Sequence, residues 1–371
     1  MLKKKSLAQC NKDANKNFSL TIVTKIFPSS KQALLIDDTL NKYIMITNQL
    51  INEVKDLEVL PKMSSATVNG DIPSCLRGQI VQDVRSIYKK TKKNNTAWPI
   101  LKRPVAIWNN QNININKNRI EFPVNINGKC TRISVKIALQ PFMQNSLTCC
   151  KLGSLRITKR GSDYIAQIAY TPNLPECESS DIVMGVDLGI LCPAVAVTSD
   201  GHTQFFGNGR ERKYKRRHFQ KKRRSLQAKK KIKKVKSIGH KEQRWMNDQD
   251  HKLSRQLVDY AIAHNVGTIK LEWLNNIRNS TRTSRKNKYN KHLYRNDISI
   301  DNWSFYRLTQ YIVYKARLAG IKVIFVNPAN TSKTCPCCGK LNDINNRNYE
   351  CECGYKSHRD RVGAYNIMQT N

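Results

Sequence analysis

Three carboxylates occupy positions in this sequence where an acid could bind a metal ion. Asp187 ends a short apolar run and has glycines two positions away on both sides, and Glu272 ends a second apolar run. Asp360 lies at the predicted start of the last helix. Each acid alone has an ordinary explanation, as a turn residue, a charged strand edge or a helix N-cap. Because a carboxylate in apolar surroundings costs desolvation energy unless it is paired or binds a cation, the three together indicate a cation site.

These acids are of the kind that phosphodiester hydrolysis requires. Two strand ends and one helix start can converge at one edge of a sheet, where they offer hard oxygen ligands and leave open positions for phosphate and water. Of two bound Mg²⁺ ions, one activates water and the other stabilises the leaving 3′-oxygen. The pattern predicts a nuclease in which Asp187, Glu272 and Asp360 are the catalytic acids and the magnesium ligands. An actin-like sugar kinase is the competing ATPase interpretation, but the sequence lacks the glycine-rich phosphate and adenosine loops that it needs.

Five of the twelve cysteines fall in one short window. They form two glycine-ended knuckles, the first with two residues between its cysteines and the second with only one. Such knuckles are typical of tetrahedral zinc coordination by thiolates, and iron–sulfur ligation is the less favoured alternative. The predicted zinc ligands are Cys335, Cys338, Cys351 and Cys353. Because the second knuckle is tight, Cys337 and His358 are alternative ligands. The site has no open position, which predicts a structural role.

The charge of the chain predicts a polyanionic partner. Its 371 residues carry a formal net charge of +38, and neutralising a phosphate releases condensed counterions, which favours binding to nucleic acid. A membrane surface is the rival acidic partner, but the sequence has neither an apolar run of about 18 residues nor a signal peptide. We expect a cytoplasmic prokaryotic protein that is nucleoid-associated while it acts and has no membrane partner.

Residues 210–236 concentrate this charge, with 16 Lys or Arg among 27 positions. A solvated basic helix or a disordered tail is the ordinary explanation for such a run. However, this run lies between a predicted strand and a predicted helix, and like charge at this density is unfavourable without a polyanion beside it. The predicted nucleic-acid-binding residues are Lys213, Arg216, Arg217, Lys221, Lys222, Arg223, Arg224, Lys229 and Lys230.

Hydrophobic periodicity divides the N-terminal half into a helical region and a β-rich region. Residues 18–26 alternate as a single strand, and apolar residues then recur at helical spacing in 36–54 and 76–88. From about residue 100 to 172 the pattern alternates again, and it contains the hairpin turn 127–128. We expect a small β-barrel, completed by the N-terminal strand, into which the helical region is inserted.

The C-terminal half reads as three strands followed by alternating helices and strands, which is the order of an RNase H-like α/β domain. The predicted strands are 182–187, 194–198, 203–206, 268–272 and 321–326, and the predicted helices include 302–319 and 358–369. The acids thus end the first and fourth strands and begin the last helix. The predicted domains of this multidomain α+β chain are an N-terminal tail with the first strand (1–35), a helical region (36–99), a β-barrel (100–180) and the nuclease domain (181–371), with a zinc-ribbon insertion at 328–357.

The motifs of the C-terminal half resemble the TnpB (OrfB-type) proteins, which accompany small insertion sequences and are related to the compact type V CRISPR effectors. The shared order is strand-end Asp187, a basic stretch, strand-end Glu272, the knuckle at 331–339 and the motif at 359–367. These motifs cover about half of the chain. The N-terminal half is similar only in architecture, as a wedge-like barrel with an inserted pair of recognition helices.

The resemblance implies a RuvC-type nuclease with an RNA guide made from the transposon end. It also implies that the protein reads a short adjacent DNA motif and that one active site cleaves both strands of the target double-stranded DNA. Guide RNA, catalytic Mg²⁺ and structural Zn²⁺ are the implied cofactors, and a monomer is favoured. Because all three acids are present, a nuclease-dead, repressor-like relative is disfavoured. The alternatives are a guided DNA-binding protein that does not cut, and a transposase or resolvase that acts without a guide.

Overall fold

The structure, a computed structural model, describes residues 6–16, 18–148, 150–177, 180–274, 304–343 and 346–370. The chain forms two compact units: the N-terminal unit is 17–173, and the C-terminal unit combines 1–16 with 174–371. The parts of the predicted nuclease domain at 275–303 and of the zinc ribbon at 344–345 lie outside the described residues. No helix in the described part of the chain is long and apolar enough to cross a membrane.

The N-terminal unit is built on a seven-stranded antiparallel sheet. Its strands are β1 (Leu20–Phe27), β2 (Val105–Trp108), β3 (Asn114–Asn116), β4 (Arg119–Ile126), β5 (Lys129–Ile137), β6 (Cys150–Arg160) and β7 (Asp163–Pro172). They pair in the order β2-β6-β7-β1-β5-β4-β3, so the N-terminal strand lies in the middle of the sheet. In this order β2 and β3 are the edge strands, so the region predicted as a small β-barrel is a seven-stranded sheet whose two edges do not pair among the described residues.

Three helices accompany this sheet: α2 (Ser30–Val54), α3 (Ser74–Asn94) and α4 (Pro141–Thr148). The predicted hairpin turn joins β4 to β5, with Asn127 and Gly128 both at positive φ. The sheet and the helices α2 and α3 share one hydrophobic core, which contains the fully buried Trp108. The predicted helical region (36–99) and β region (100–180) therefore lie largely in one compact unit, in which the apolar helix and sheet faces cover each other.

The C-terminal unit contains a mixed five-stranded sheet in the order β10-β9-β8-β11-β12. Its strands are β8 (Val183–Asp187), β9 (Ala194–Thr198), β10 (Thr203–Phe206), β11 (Thr268–Glu272) and β12 (Lys322–Val326). The first three are antiparallel to one another, whereas β11 is parallel to both β8 and β12. Each strand begins and ends within one residue of its predicted position.

Helices cover both faces of this sheet. They are α5 (Gly209–Ala228), α6 (Ile232–Ile238), α7 (Lys241–Ala263), α8 (Phe305–Leu318) and α9 (Arg359–Gln369), and the short strands β13 (Asn348–Glu350) and β14 (Lys356–His358) precede α9. Helices α7 and α8 pack on the face of β9 that carries Ala194 and Ala196. Helix α9 packs on the other face, against Val195 and Val197. The sheet is therefore the middle layer of an α/β/α arrangement.

Helix α1 (Leu7–Ala14) lies with the C-terminal unit, although the sequence predicted a tail attached to the first strand within 1–35. The Asn11 side chain bonds the N–H and the carbonyl of Phe325 at 2.6 and 3.1 Å. Asn15 donates to the carbonyl of Val323 at 3.1 Å. These bonds occupy the free edge of β12, where exposed backbone groups would otherwise be unpaired. Residues 1–16 thus belong to the C-terminal unit and residues 17–35 to the N-terminal unit.

Candidate functional site

Two of the predicted acids lie side by side at one edge of the mixed sheet. The parallel strands β8 and β11 place Leu271 opposite Val186, and the next residue on each strand is the acid. Neighbouring strands lie about 4.8 Å apart, and residues that are level with each other point to the same face. Asp187 and Glu272 therefore share one face of the sheet at its C-terminal edge.

Helix α9, which carries Asp360, covers that face. The ammonium group of Lys270, two residues before Glu272, donates to two backbone carbonyls at the end of α9 at 3.0 and 2.8 Å. A cation is favoured there by the helix dipole. A Cβ at Gly185 would lie 2.1 Å from a backbone oxygen of α9, and one at Gly363 would lie 3.1 Å from Oδ2 of Asp187. Small residues on both sides thus let the third acid approach the other two.

The three acids share a mutually repulsive environment. Burial raises the pKa of Asp187 well above its usual range, and the charges of Glu272 and Asp360 raise it further. Burial also raises the pKa of Glu272, against a hydrogen bond from Thr331 that lowers it. Among the described residues, the carboxylate of Asp187 has no hydrogen-bond or ion-pair partner. Such a carboxylate is stabilised by a nearby cation.

Two side chains outside the predicted set contact the other acids. The hydroxyl of Thr331 donates to Oε1 of Glu272, and the guanidinium of Arg347 donates to Oδ2 of Asp360. Both come from the segment that carries the cysteine knuckles. Sequence reasoning missed them because a loop threonine and a loop arginine have no diagnostic spacing. Only their positions in the fold reveal them.

The start of α9 differs from the ordinary N-cap interpretation of Asp360. The N-cap is His358, whose Nδ1 accepts a hydrogen bond from the N–H of Asp360 at 3.2 Å. Asp360 instead lies in the first turn, and its side chain is 13% exposed and paired with Arg347. Capping therefore does not account for this acid.

The structure brings the four predicted zinc ligands together. All four sulfur atoms lie within 4.8 Å of one another, with Cys335 to Cys353 at 3.7 Å and Cys338 to Cys351 at 3.5 Å. Thiolates bound 2.3 Å from a tetrahedral zinc lie about 3.8 Å apart, so the cluster fits Zn²⁺. Among the described residues, neither alternative ligand belongs to this group, and His358 instead caps α9.

Both cysteine knuckles are closed by backbone hydrogen bonds. The N–H of Gly339 donates to the carbonyl of Cys335 at 3.0 Å, and that of Gly354 donates to the carbonyl of Cys351 at 2.9 Å. Both glycines have positive φ, 74° and 88°, a conformation that costs other residues free energy. The second knuckle thus closes in spite of its shorter gap.

The cysteine segment and α9 share one small core. Val362 of α9 packs with Tyr349 and two of the cysteines in a buried cluster. Asn366, one turn later in α9, donates to two backbone carbonyls that precede the first knuckle, at 2.6 and 2.8 Å. Asp360 belongs to the same helix. The contacts between α9 and the folded cysteine segment therefore help to set the position of the third acid.

The basic run forms α5, α6 and the turn between them. Helix α5 packs antiparallel on α7, where Arg212 pairs with the fully buried Asp250 and Arg223 pairs with Glu242 at 2.6 Å. Arg223, one of the predicted nucleic-acid-binding residues, is therefore tied to α7. Lys213 and Arg216 are half-buried, and the six exposed members of the predicted set are Arg217, Lys221, Lys222, Arg224, Lys229 and Lys230.

Two family models match the chain. The model described as "Probable transposase" (OrfB_IS605) matches residues 167–278, and the model described as "Cas12f1-like, TNB domain" matches residues 305–367. The first range contains Asp187 and Glu272, and the second contains Asp360 and the cysteine knuckles. These matches confirm the resemblance to TnpB (OrfB-type) proteins and to compact type V effectors.

Two curated relatives each match about half of the chain. A CRISPR-associated endodeoxyribonuclease Cas12f1 of Sulfoacidibacillus thermotolerans is 31% identical over 210 residues, which cover 51% of this chain and 46% of that one. A TnpB-like protein of Methanocaldococcus jannaschii is 37% identical over 167 residues, which cover 42% of this chain and 57% of that one. The chain thus spans about half the length of these curated relatives.

A solved structure matches nearly the whole chain. The cryo-EM structure of a Cas12f1–sgRNA–target DNA complex has a TM-score of 0.67, with 14% identity, over 95% of this chain and 99% of that one. This likeness shows that the chain has a mixed α/β fold similar to that of the compact type V effectors.

Proposed function

We propose that this chain is a TnpB-type RNA-guided DNA endonuclease, encoded by an insertion sequence, whose RuvC-like domain cleaves guide-matched DNA with two Mg²⁺ ions. The observation that carries the proposal is the convergence of Asp187 and Glu272, at one edge of the sheet, with Asp360 of the helix that covers them. The strand order, three antiparallel strands and then two parallel ones, supports the RuvC-like, RNase H-like assignment. The relatives named as Cas12f1 endodeoxyribonucleases and TnpB-like proteins support the guided activity.

The three acids fit magnesium. They supply the hard oxygen ligands that this ion prefers, and Asp187 has no protein partner among the described residues. Within the described part of the chain, the three carboxylates do not form a group with all ligand atoms within 4.8 Å, as the four cysteines do. The two-ion arrangement, with ions about 3.5–4 Å apart, is part of the proposed nuclease chemistry.

In this proposal, neighbouring residues of the chain hold the three acids in position for the reaction. When bound, the two ions would activate the attacking water and stabilise the leaving oxygen. The Thr331 hydroxyl holds one oxygen of Glu272 in place, and Arg347 orients Asp360 through a charge-assisted hydrogen bond. Lys270 holds the far end of α9, and Gly185 keeps that helix close to the sheet.

The remaining parts of the molecule take supporting roles in this proposal. The four cysteines hold a structural zinc that orders the segment packed on α9. The exposed basic residues of α5 and the following turn contact phosphates of the guide RNA and the target DNA, since guide pairing reads the sequence and the protein mainly supplies a cationic channel. The N-terminal unit supplies the wedge sheet, with α2 and α3 as recognition helices.

Sequencing of co-purified RNA, followed by a cleavage assay, tests the proposal. Protein expressed with its flanking DNA should carry a discrete RNA and should cut matched DNA when Mg²⁺ is present. Asp187→Ala should retain the RNA but not cut. The control is Asp259→Ala, which removes an exposed acid paired with Arg255 at 3.3 Å on α7 and should leave cutting unchanged.

Two outcomes would favour the alternatives. An RNA-free preparation that cuts equally well would overturn the guided mechanism and favour a transposase or resolvase. An Asp187→Ala variant that acts on its target in cells as fully as the wild type would favour a guided binding protein whose acids do not cut.

A further inference from the structure

A second group of metal-ligand side chains lies outside the nuclease site. Asp200 and His202 belong to the turn between β9 and β10, and His264 is the C-cap residue of α7. A carboxylate oxygen of the first and ring nitrogens of the other two all lie within 4.8 Å of one another. Imidazole and carboxylate groups are ordinary zinc ligands. The proposed nuclease function uses none of the three.

One carboxylate oxygen faces both histidines. Oδ2 of Asp200 lies 3.7 Å from Nε2 of His202 and 4.0 Å from Nδ1 of His264. Both distances exceed the 2.7–3.2 Å of a good hydrogen bond. Oxygen and nitrogen ligands of a tetrahedral zinc ion lie about 3.4 Å apart. Each of these two oxygen–nitrogen distances would therefore need to shorten by only about 0.3–0.6 Å for Asp200 to share an ion with the histidines.

Neighbouring residues hold these ligands in place. The buried Thr198 donates its hydroxyl to Oδ1, the other carboxylate oxygen of Asp200, which leaves Oδ2 directed at the histidines. The turn is closed by the bond from the N–H of Thr198 to the carbonyl of His202 at 3.0 Å. The ring of His264 packs on Tyr260, with 4.3 Å between the ring centroids. Hydrogen bonds that orient a ligating group in this way are typical of metal sites.

This group is separate from the three catalytic acids. Strands β8 and β9 are antiparallel, with Asp187 opposite Val195 and Met184 opposite Thr198. The turn at 199–202 therefore follows the end of β9 that lies beside the start of β8. At about 3.3 Å per residue, Thr198 is already about 10 Å along the sheet from the level of Asp187. An ion at this turn would lie beside the N-terminal end of β8, whereas ions at the acids would lie at its C-terminal end.

We propose that Asp200, His202 and His264 bind one Zn²⁺ ion, with water in the fourth position. The ion would cross-link the β9–β10 turn to the C-terminal end of α7. Because α7 is the helix on which the basic helix α5 packs, this cross-link would brace the support of the nucleic-acid-binding surface. The site opens to solvent, since the side chain of His202 is 59% exposed, so the ion can enter the folded protein.

Counting zinc tests the proposal. Full-length protein is dialysed against micromolar Zn²⁺ and analysed for zinc per chain, and the far-UV circular dichroism spectrum of each variant is checked. The wild type should hold two zinc ions, one at the cysteines and one at the new site. His264→Gln and His202→Gln should each hold one. The matched control His218→Gln, which removes an exposed histidine of α5, should hold two.

Two further measurements separate the site from a general loss of structure. Thr198→Val keeps the shape of a buried side chain and should weaken the second zinc by about 10-fold or more, through loss of the bond that orients Asp200. Co²⁺ at the second site should add weak visible bands without the intense near-ultraviolet charge transfer of thiolate ligands. A wild type that holds one zinc, or a second zinc retained in both histidine variants, would overturn the proposal.

Discussion

The carboxylate of Asp187 is placed where burial and two neighbouring acids disfavour its charge. Its pKa in the folded state is raised above the ordinary value of 3.8. The folded state therefore has its full stability below that ordinary value and loses stability as the pH rises through the raised folded pKa. Asp187→Asn removes the charge and keeps the shape. Without divalent ions, we expect the variant to melt at a higher temperature than the wild type, with a gain that is small near pH 4 and grows towards pH 8.

Thermal unfolding at several pH values measures this effect. In a domain of this size, each kcal/mol corresponds to about 2–4 °C in Tm. The exposed Asp259→Asn is the control and should show little gain at any pH. Added Mg²⁺ should raise the Tm of the wild type more than that of Asp187→Asn. A gain that does not change with pH would show that repulsion among the acids is not its cause.

The Thr331 hydroxyl orients Glu272 from outside the acid set. Thr331→Val preserves the volume of the side chain but removes this donor. Because groups that orient metal ligands contribute to metal affinity and rate, we expect cleavage at limiting Mg²⁺ to fall by about 10–100-fold. Thr334→Val is a close control, since its hydroxyl bonds only a nearby backbone carbonyl, that of Asn330, at 3.1 Å. Equal losses in both variants would assign the effect to the cysteine segment as a whole.

The sequence predicted the metal-ligand residues better than the residues that hydrogen-bond to them. Acids at strand ends and cysteines in knuckles are recognisable by residue type and spacing. Thr331 and Arg347 are ordinary loop residues until the fold carries them to an acid 59 and 13 positions away along the chain. The N-cap histidine His358 was likewise hidden, because an acid two positions later was the more usual cap.

Among the secondary-structure elements, the close contact between β8 and α9 determines where the third acid lies. A Cβ at Gly185 would lie 2.1 Å from the carbonyl oxygen of Ala364 and 2.5 Å from the backbone nitrogen of Met368. These two atoms belong to the backbone of α9, which cannot move aside as a flexible side chain can. Gly185→Ala should therefore push α9 away from the sheet. We expect a loss of about 100-fold in cleavage, since an ångström of misplacement suffices for that, together with a lower Tm.

Gly78→Ala is the matched control for this change. Gly78 lies within α3, and a Cβ there meets nothing within 4 Å. Alanine at this position in the helix should be neutral or should stabilise by about 0.5–1 kcal/mol. Cleavage that is equally reduced in both variants would contradict the role given to the β8–α9 contact.

The fully buried Asp250 joins three helices. It sits on α7 and pairs with Arg212 of α5 and with Arg307 of α8, the latter at 2.5 Å. Burial and the charges of neighbouring arginines lower the pKa of Arg212 to about 10. Asp250→Asn would leave two arginines without a counter-charge, so we expect a loss of about 3–5 kcal/mol in the free energy of unfolding, measured with urea. Asp259→Asn on the same helix should cost less than about 0.5 kcal/mol.

Periodicity predicted the strands of both units closely, because strands such as β1 and β7 alternate and β9 is wholly buried. Helix α1 was not predicted. Its amide side chains bond the edge of β12, a strand that is distant in sequence. The sequence also did not predict the strand order of the N-terminal sheet or the core that the sheet shares with α2 and α3. Nothing in a local pattern states which apolar faces will cover one another.

For the molecule as a whole, the net charge of +38 is the dominant feature. Its contribution to nucleic-acid binding should appear as a steep dependence of affinity on salt. Replacing Lys221, Lys222 and Arg224 by Gln should reduce the slope of log K against log salt by about 0.7–0.9 for each residue that contacts a phosphate. RNA-binding isotherms between low and moderate salt measure this slope.

Arg223→Gln tests a charge of α5 that is paired within the protein, in contrast to the exposed charges of the same helix. Its guanidinium is tied to Glu242, so this change should lower the stability of the α5–α7 contact more than it lowers the salt slope. If Arg223→Gln reduced the slope as much as each exposed residue does, the pairing with Glu242 would not persist in the complex.

The contact of α1 with β12 has a consequence for the biosynthesis of the protein. Asn11 and its partner Phe325 are 314 positions apart, so at about 5–20 residues per second the ribosome needs about 15–60 s to follow one with the other. The N-terminal unit, 17–173, is completed within that interval. The first helix cannot form its bonds to β12 until that strand, the last of the five-stranded sheet in chain order, has been synthesised. Translation thus imposes an order in which the intervening unit folds before the unit that encloses it in sequence.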